Sequence, residues 1–187
     1  MWKDDIATKT SSADEYLIFG QHYGLIDIIK VDTGKKVLSM NLPKVNTIFN
    51  ILLTSHRSEV CFCSYNGLYF AKIKKDATKG GLTMELSLSE TYFTDKYVSR
   101  GVEYAPDKFV VCIQDDDQFY TIDRTKRQVV SKISWGIPEK YHNSYNFEVI
   151  KLPGYSLKKF PFLLMRDDYG IKIFNVDTKR LVKVKDA

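Results

Sequence analysis

Phe109-Val110-Val111-Cys112, a turn at Asp116, then Ile122-Asp123-Arg124: this order of apolar run, turn, alternating run and Asp-led turn is written four times along the 187 residues. The other copies read Tyr16-Leu17-Ile18-Phe19, Gly24 and Val31-Asp32-Thr33-Gly34; Val60-Cys61-Phe62-Cys63, Asn66-Gly67 and Lys75-Asp76; and Phe162-Leu163-Leu164-Met165, Gly170 and Val176-Asp177-Thr178. The turn positions Gly24, Gly67, Asp116 and Gly170 fall 43, 49 and 54 residues apart.

Each copy reads as four strands. They are expected over 6–9, 15–21, 24–31 and 36–42; then 47–54, 59–64, 67–74 and 82–88; then 98–104, 108–114, 118–122 and 128–134; and finally 145–152, 160–166, 171–176 and 181–184. Units of roughly 40–50 residues with several strands each imply β-propeller blades. The expected fold is all-β, one propeller-type domain over 1–187, with antiparallel blades at 5–43, 45–90, 96–135 and 144–186. Turn chemistry agrees. Asn66-Gly67 is a hairpin signal because type I′ turns need positive φ at both central positions, and Tyr23-Gly24 and Tyr169-Gly170 offer Gly at the corresponding place. Residues 45–53 have the apolar content of a short helix, but Thr47, Ile48, Phe49 and Ile51 favour a strand. The segments 76–81, 89–96, 135–144 and 153–159 have the Gly, Pro, Ser, Asn and Asp content of loops.

Bulk properties fit a globular chain with a real core: 44% apolar and 27% charged residues, with twelve Tyr and eleven Phe that favour strands. No apolar run approaches the roughly 18–20 residues that span a bilayer, and Met1-Trp2-Lys3-Asp4-Asp5 lacks the apolar region of a signal peptide. Cys61, Cys63 and Cys112 fall within expected strands and read as small buried hydrophobes. That favours a reducing compartment, cytoplasmic or nuclear. The net charge of +5 sits in the last copy, where residues 151–187 hold nine Lys/Arg against four Asp.

The third copy carries a resemblance. Val102-Glu103-Tyr104-Ala105-Pro106-Asp107-Lys108-Phe109-Val110-Val111 resembles strand a, the turn and strand b of the WD-repeat propeller family. Where that family often has Trp-Asp, this chain has Ile29-Lys30, Tyr120-Thr121 and Phe174-Asn175. Asp32-Thr33-Gly34-Lys35 and Asp177-Thr178-Lys179 are similar to its turn into strand d. The sequence contains no Trp-Asp and no Gly-His dipeptide. The resemblance therefore implies blades whose buried His/Asp network is replaced by apolar packing, with Ile29, Tyr120 and Phe174 at equivalent positions. It also implies more than four blades in a closed ring. The chain is then a piece of a larger propeller, a four-bladed ring, or one part of a ring that another chain completes through open edge strands. The first and last of these are preferred.

Candidate sites are few. His22, His56 and His142 lie in loops of different units, and no nucleophile elbow, zinc-protease motif or phosphate loop occurs. Cys61, Cys63, Cys112 and His56 lack the turn-borne spacing of structural zinc. Asp115-Asp116-Asp117 and Asp167-Asp168 lack the alternating pattern of a calcium loop and read as turn residues. No metal, cofactor or catalytic residue is expected. A channel enzyme would need polar strand-a residues, of which Glu103 and Glu148 are the chief ones. Tyr141, His142 and Tyr145 place aromatics in a long loop, where they serve either as interface anchors or as a satellite core. Lys158, Lys159, Lys179, Arg180, Lys183 and Lys185 form a basic cluster interleaved with aromatics, a candidate surface for a nucleic acid or other polyanion. Charge on an outermost strand also blunts an edge, and that reading is preferred. The expected function is a non-enzymatic scaffold binding partner proteins through blade faces and inter-blade loops. The alternative is polyanion binding through 151–187. No membrane partner is expected.

Overall fold

A computed structural model describes residues 16–56, 58–78, 81–114, 116, 118–134, 148–150, 162–167 and 170–183. The chain forms two compact units, Met1–Lys96 and Tyr97–Ala187. The first unit holds strands β1 (Tyr16–Gly20), β2 (Leu25–Lys30) and β3 (Lys36–Asn41) in one sheet, and β4 (Ile48–Leu53), β5 (Glu59–Ser64), β6 (Gly67–Thr78) and β7 (Gly81–Tyr92) in a second. The other unit holds β8 (Val98–Ala105), β9 (Lys108–Ile113), β10 (Gln118–Asp123) and β11 (Gln128–Ser134) in a third sheet. A fourth contains β12 (Glu148–Ile150), β13 (Phe162–Asp167), β14 (Gly170–Asn175) and β15 (Arg180–Lys183). Every pairing is antiparallel between sequence neighbours, so each sheet is an open meander. The described residues of 97–123 are strands β8, β9 and β10 apart from short turns, and the 45–53 segment supplies strand β4, not a helix.

Alternation explains the packing within each unit. In the first sheet Tyr16, Ile18, Ile26 and Ile28 point one way and bury against Val60, Phe62, Tyr69 and Ala71 of the second. A Cβ on Gly20 would lie 2.9 Å from Ile48 Cβ, so the close approach of β1 to β4 requires a residue without a side chain. Each fully buried side chain of the size of Phe62 contributes about 2–3 kcal/mol. In the second unit Val110, Cys112 and Phe119 bury against Leu163 and Phe174. Cys61, Cys63 and Cys112 form no disulfide and are fully buried, as the packing reading expects.

Three details differ from the sequence reading. Residues 76–78, 81 and 89–92, expected as loop, are strand, because β6 and β7 pair from Leu68↔Tyr92 to Thr78↔Gly81, whereas 93–96 form a turn as expected. β7 is an outer strand of its sheet, where polar residues such as Ser87 and Glu90 are the norm, and that polarity mimicked a loop. The β5–β6 hairpin is real but is not type I′. Its two central residues are Tyr65 and Asn66, neither at positive φ, and Gly67 follows at φ 148°. Tyr120 is not equivalent to Ile29 and Phe174. Those two pair with Leu17 and Leu163, and the residue pairing with the matching Phe109 is Ile122. The slip arose from aligning Asp123 with Asp177. Asp123 stands instead where Asn175 stands, at the strand end. Its Oδ1 accepts from Thr125 Oγ1 at 2.6 Å, as Asn175 Oδ1 accepts from Asp177 N at 3.0 Å. The expected strand at 6–9, the loops 135–144 and 153–159, and Tyr169 lie outside the described residues.

Candidate functional site

Strands that alternate in direction deliver the β1–β2 turn, the β3–β4 connection and the β5–β6 turn to one end of the first unit. There the backbone is cross-linked. Gly24 N donates to Asn46 O (3.1 Å), Leu42 N to Gly24 O (2.9 Å), Tyr65 N to Thr47 O (2.9 Å) and Asp95 N to Asn66 O (3.1 Å). Asn66 is the hub. Its Oδ1 accepts from Asn46 N at 2.9 Å and from Ser64 Oγ at 3.0 Å, and its Nδ2 donates to Lys44 O at 2.6 Å. The Tyr69 hydroxyl lies 3.0 Å from both Lys44 O and Asn66 O. Burial raises the Tyr69 pKa, with the Asp95 carboxylate adding to it, so the phenol stays a donor.

These bonds hold backbone in conformations that side chains rarely adopt. Tyr23 sits at φ 58° and Lys44 at φ 71°, beside Gly24 at φ 69°. A Cβ on Gly24 would lie 2.5 Å from Val45 O, so only glycine fits there. Left-handed non-glycine residues persist only where surroundings impose them, and they cluster at sites of function. The result is a shallow, open depression of about 290 Å³ lined by Tyr23, Lys44, Val45, Asn46 and Asn66. Tyr23 is 78% exposed at its rim, and Tyr65, on the neighbouring turn, is 56% exposed. One cation, aromatic rings and fixed backbone suit recognition of another molecule. Among the described residues lining it there is no histidine, carboxylate or thiol.

Of the expected site residues, three lie among the described residues. Lys179 and Arg180 lie exposed at the β14–β15 turn, and Lys183 ends β15. Lys158, Lys159, Lys185, Tyr141, His142 and Tyr145 lie outside the described residues. His22 is tied to Thr47 Oγ1 at 3.1 Å, and the His56 carbonyl accepts from Ser58 Oγ at 2.9 Å. Glu103 accepts from Asp107 N at 3.0 Å, which makes it a turn brace. Among the described residues no group of three His, Cys, Asp or Glu is placed to hold a metal ion, and no helix is long and apolar enough to cross a membrane. Sequence reasoning missed Tyr23, Lys44 and Asn46. The one signal in the sequence is Tyr23-Gly24, whose glycine marks a turn without announcing the exposed ring beside it.

One three-stranded and three four-stranded antiparallel meanders in series, among the described residues, define a β-propeller-type fold. Among solved structures, the chain is similar to the β-propeller domain of Myceliophteria thermophila Cps50 (Swd1), with 14% identity and a TM-score of 0.70. The match covers 90% of this chain and 52% of that one, so the chain spans about half the length of that structure. No protein-family model matches the chain, and no curated protein does.

Proposed function

We propose that the chain is a non-enzymatic protein-interaction scaffold of WD-repeat-like propeller type that engages partner proteins through its inter-strand loops. One observation carries this reading: the loop end of the first unit is cross-linked around Asn66 and presents Tyr23 and Lys44 in a fixed backbone. A preformed surface binds without the cost of ordering its loops, and exposed tyrosines are frequent interface anchors.

The test is quantitative affinity capture with the wild-type chain and with a Tyr23→Ala/Lys44→Glu variant. A protein retained by the wild-type chain and depleted at least about tenfold by the variant, the equivalent of 1.4 kcal/mol, supports the reading. Equal capture by both removes this surface from the proposal. Repeating the capture over a salt series tests the alternative. Nucleic acid held through Lys179, Arg180 and their basic neighbours would be released steeply as salt rises, whereas contacts anchored by Tyr23 would persist.

A further inference from the structure

The repeat makes the faces of the four sheets comparable residue by residue. Strand pairing aligns Leu17↔Ile29 with Leu163↔Phe174, so Tyr16, Ile18, Ile26 and Ile28 of the first sheet correspond to Phe162, Leu164, Ile171 and Ile173 of the fourth. In the first sheet these four positions form the forward face, each no more than 4% exposed beneath the second sheet. In the third sheet Val110 and Phe119 occupy two of the same positions, both fully buried in the core shared with the fourth sheet. The fourth sheet keeps the apolar residues without the burial. Phe162 is 42% and Ile171 52% exposed, and Val182, paired across from Ile173, is 49% exposed. Its opposite face, with Leu163 and Phe174, is the one packed on the third sheet.

The first sheet carries the complementary surface. Its backward face presents Leu17, Ile29 and Val31, at the positions where Leu163, Phe174 and Val176 of the fourth sheet pack on the third. Leu17 and Ile29 are only half-buried and Val31 is 43% exposed. The carboxylate on this face, Asp27, is already paired with Lys36 Nζ at 2.8 Å and accepts a hydrogen bond from Ser39 Oγ at 2.6 Å, so covering it strands no charge.

We propose that the forward face of the fourth sheet docks the backward face of the first sheet of a second copy of this chain. The chain thus carries both halves of one sheet-on-sheet contact, already used within each unit, and the two halves meet head to tail.

Sedimentation velocity up to roughly 100 μM tests the proposal, since micromolar association is then well populated. The wild-type chain is expected to associate. Ile171→Lys and Val31→Lys, both at exposed positions, are each expected to leave it monomeric, with circular dichroism confirming unchanged strand content. Should Ile171→Lys lose that content, Val182→Lys replaces it. An equimolar mixture of the forward-face and backward-face variants retains one intact pair of faces and is expected to sediment as a dimer. A monomeric wild-type chain overturns the proposal and leaves the face to a sheet of another polypeptide. Association that survives Ile171→Lys, or a mixture that stays monomeric, overturns it as well.

Discussion

Tyr120 shows how a residue misplaced in the repeat alignment acquires a role of its own. Its hydroxyl donates to Asp116 Oδ2 at 2.9 Å, and Lys132 Nζ lies 5.8 Å from its ring centroid. Burial, then the hydrogen bond to Asp116 and the charge of that carboxylate, push the phenol up to about 12 from an ordinary 10.0. A proton held more tightly in the folded chain stabilises it fully below pH 10.0, and that contribution is lost as the pH rises through about 12. Tyr120→Phe is therefore expected to cost about 1 kcal/mol at neutral pH. Denaturant titrations of the two proteins should converge as the pH passes 12. Asn66 makes the complementary point. Its sequence context advertised a tight turn, but its amide is spent on residues 20 and 22 positions away, Asn46 and Lys44.

At the scale of elements, three turns into an outer strand share one design. Residues 31–34, 124–127 and 176–179 close their hairpins, and the last residue of each is left-handed: Gly34 at φ 64°, Arg127 at φ 51° and Lys179 at φ 56°. A Cβ on Gly34 would meet nothing within 4 Å, so the cost of a side chain there is backbone alone. Gly34→Ala is expected to cost about 1–2 kcal/mol by urea unfolding. Lys179→Gly should fall within about 0.5 kcal/mol of neutral, because relief of the same conformation is offset by the extra freedom glycine gives the unfolded chain. This asymmetry marks how far the sequence can be read. Strands were legible because apolar runs such as Val110–Cys112 and the paired Phe119 leave little choice of structure. Left-handed turns were legible only at Gly34, since arginine and lysine announce no such conformation. The loop site was not legible, because its bonds join Gly24, Asn46 and Asn66 from three separate hairpins and connections. The β6–β7 extension was hidden by the polarity proper to an outer strand.

For each unit, the decisive fact is that two sheets pack face to face and that the exposed faces of the first and fourth sheets repeat the chemistry of the buried ones. Acid should loosen the chain at specific points. The Asp27 carboxyl is held below 3.8: burial opposes its charge, but the hydrogen bonds from Lys36 and Ser39 and the Lys36 charge outweigh burial. Its contribution is intact above pH 3.8 and is lost as the pH falls through the lowered value. The cysteines have a further consequence. Cys61 and Cys63 belong to one unit and Cys112 to the other, and all three are outside any disulfide and shut away from solvent. A thiol-reactive dye can reach them only when a sheet opens, so the native chain already carries its own clocks for local unfolding. If the two units open independently, labelling should proceed in two phases of unequal amplitude, two thiols in one and a single thiol in the other. A cooperative molecule would release all three together.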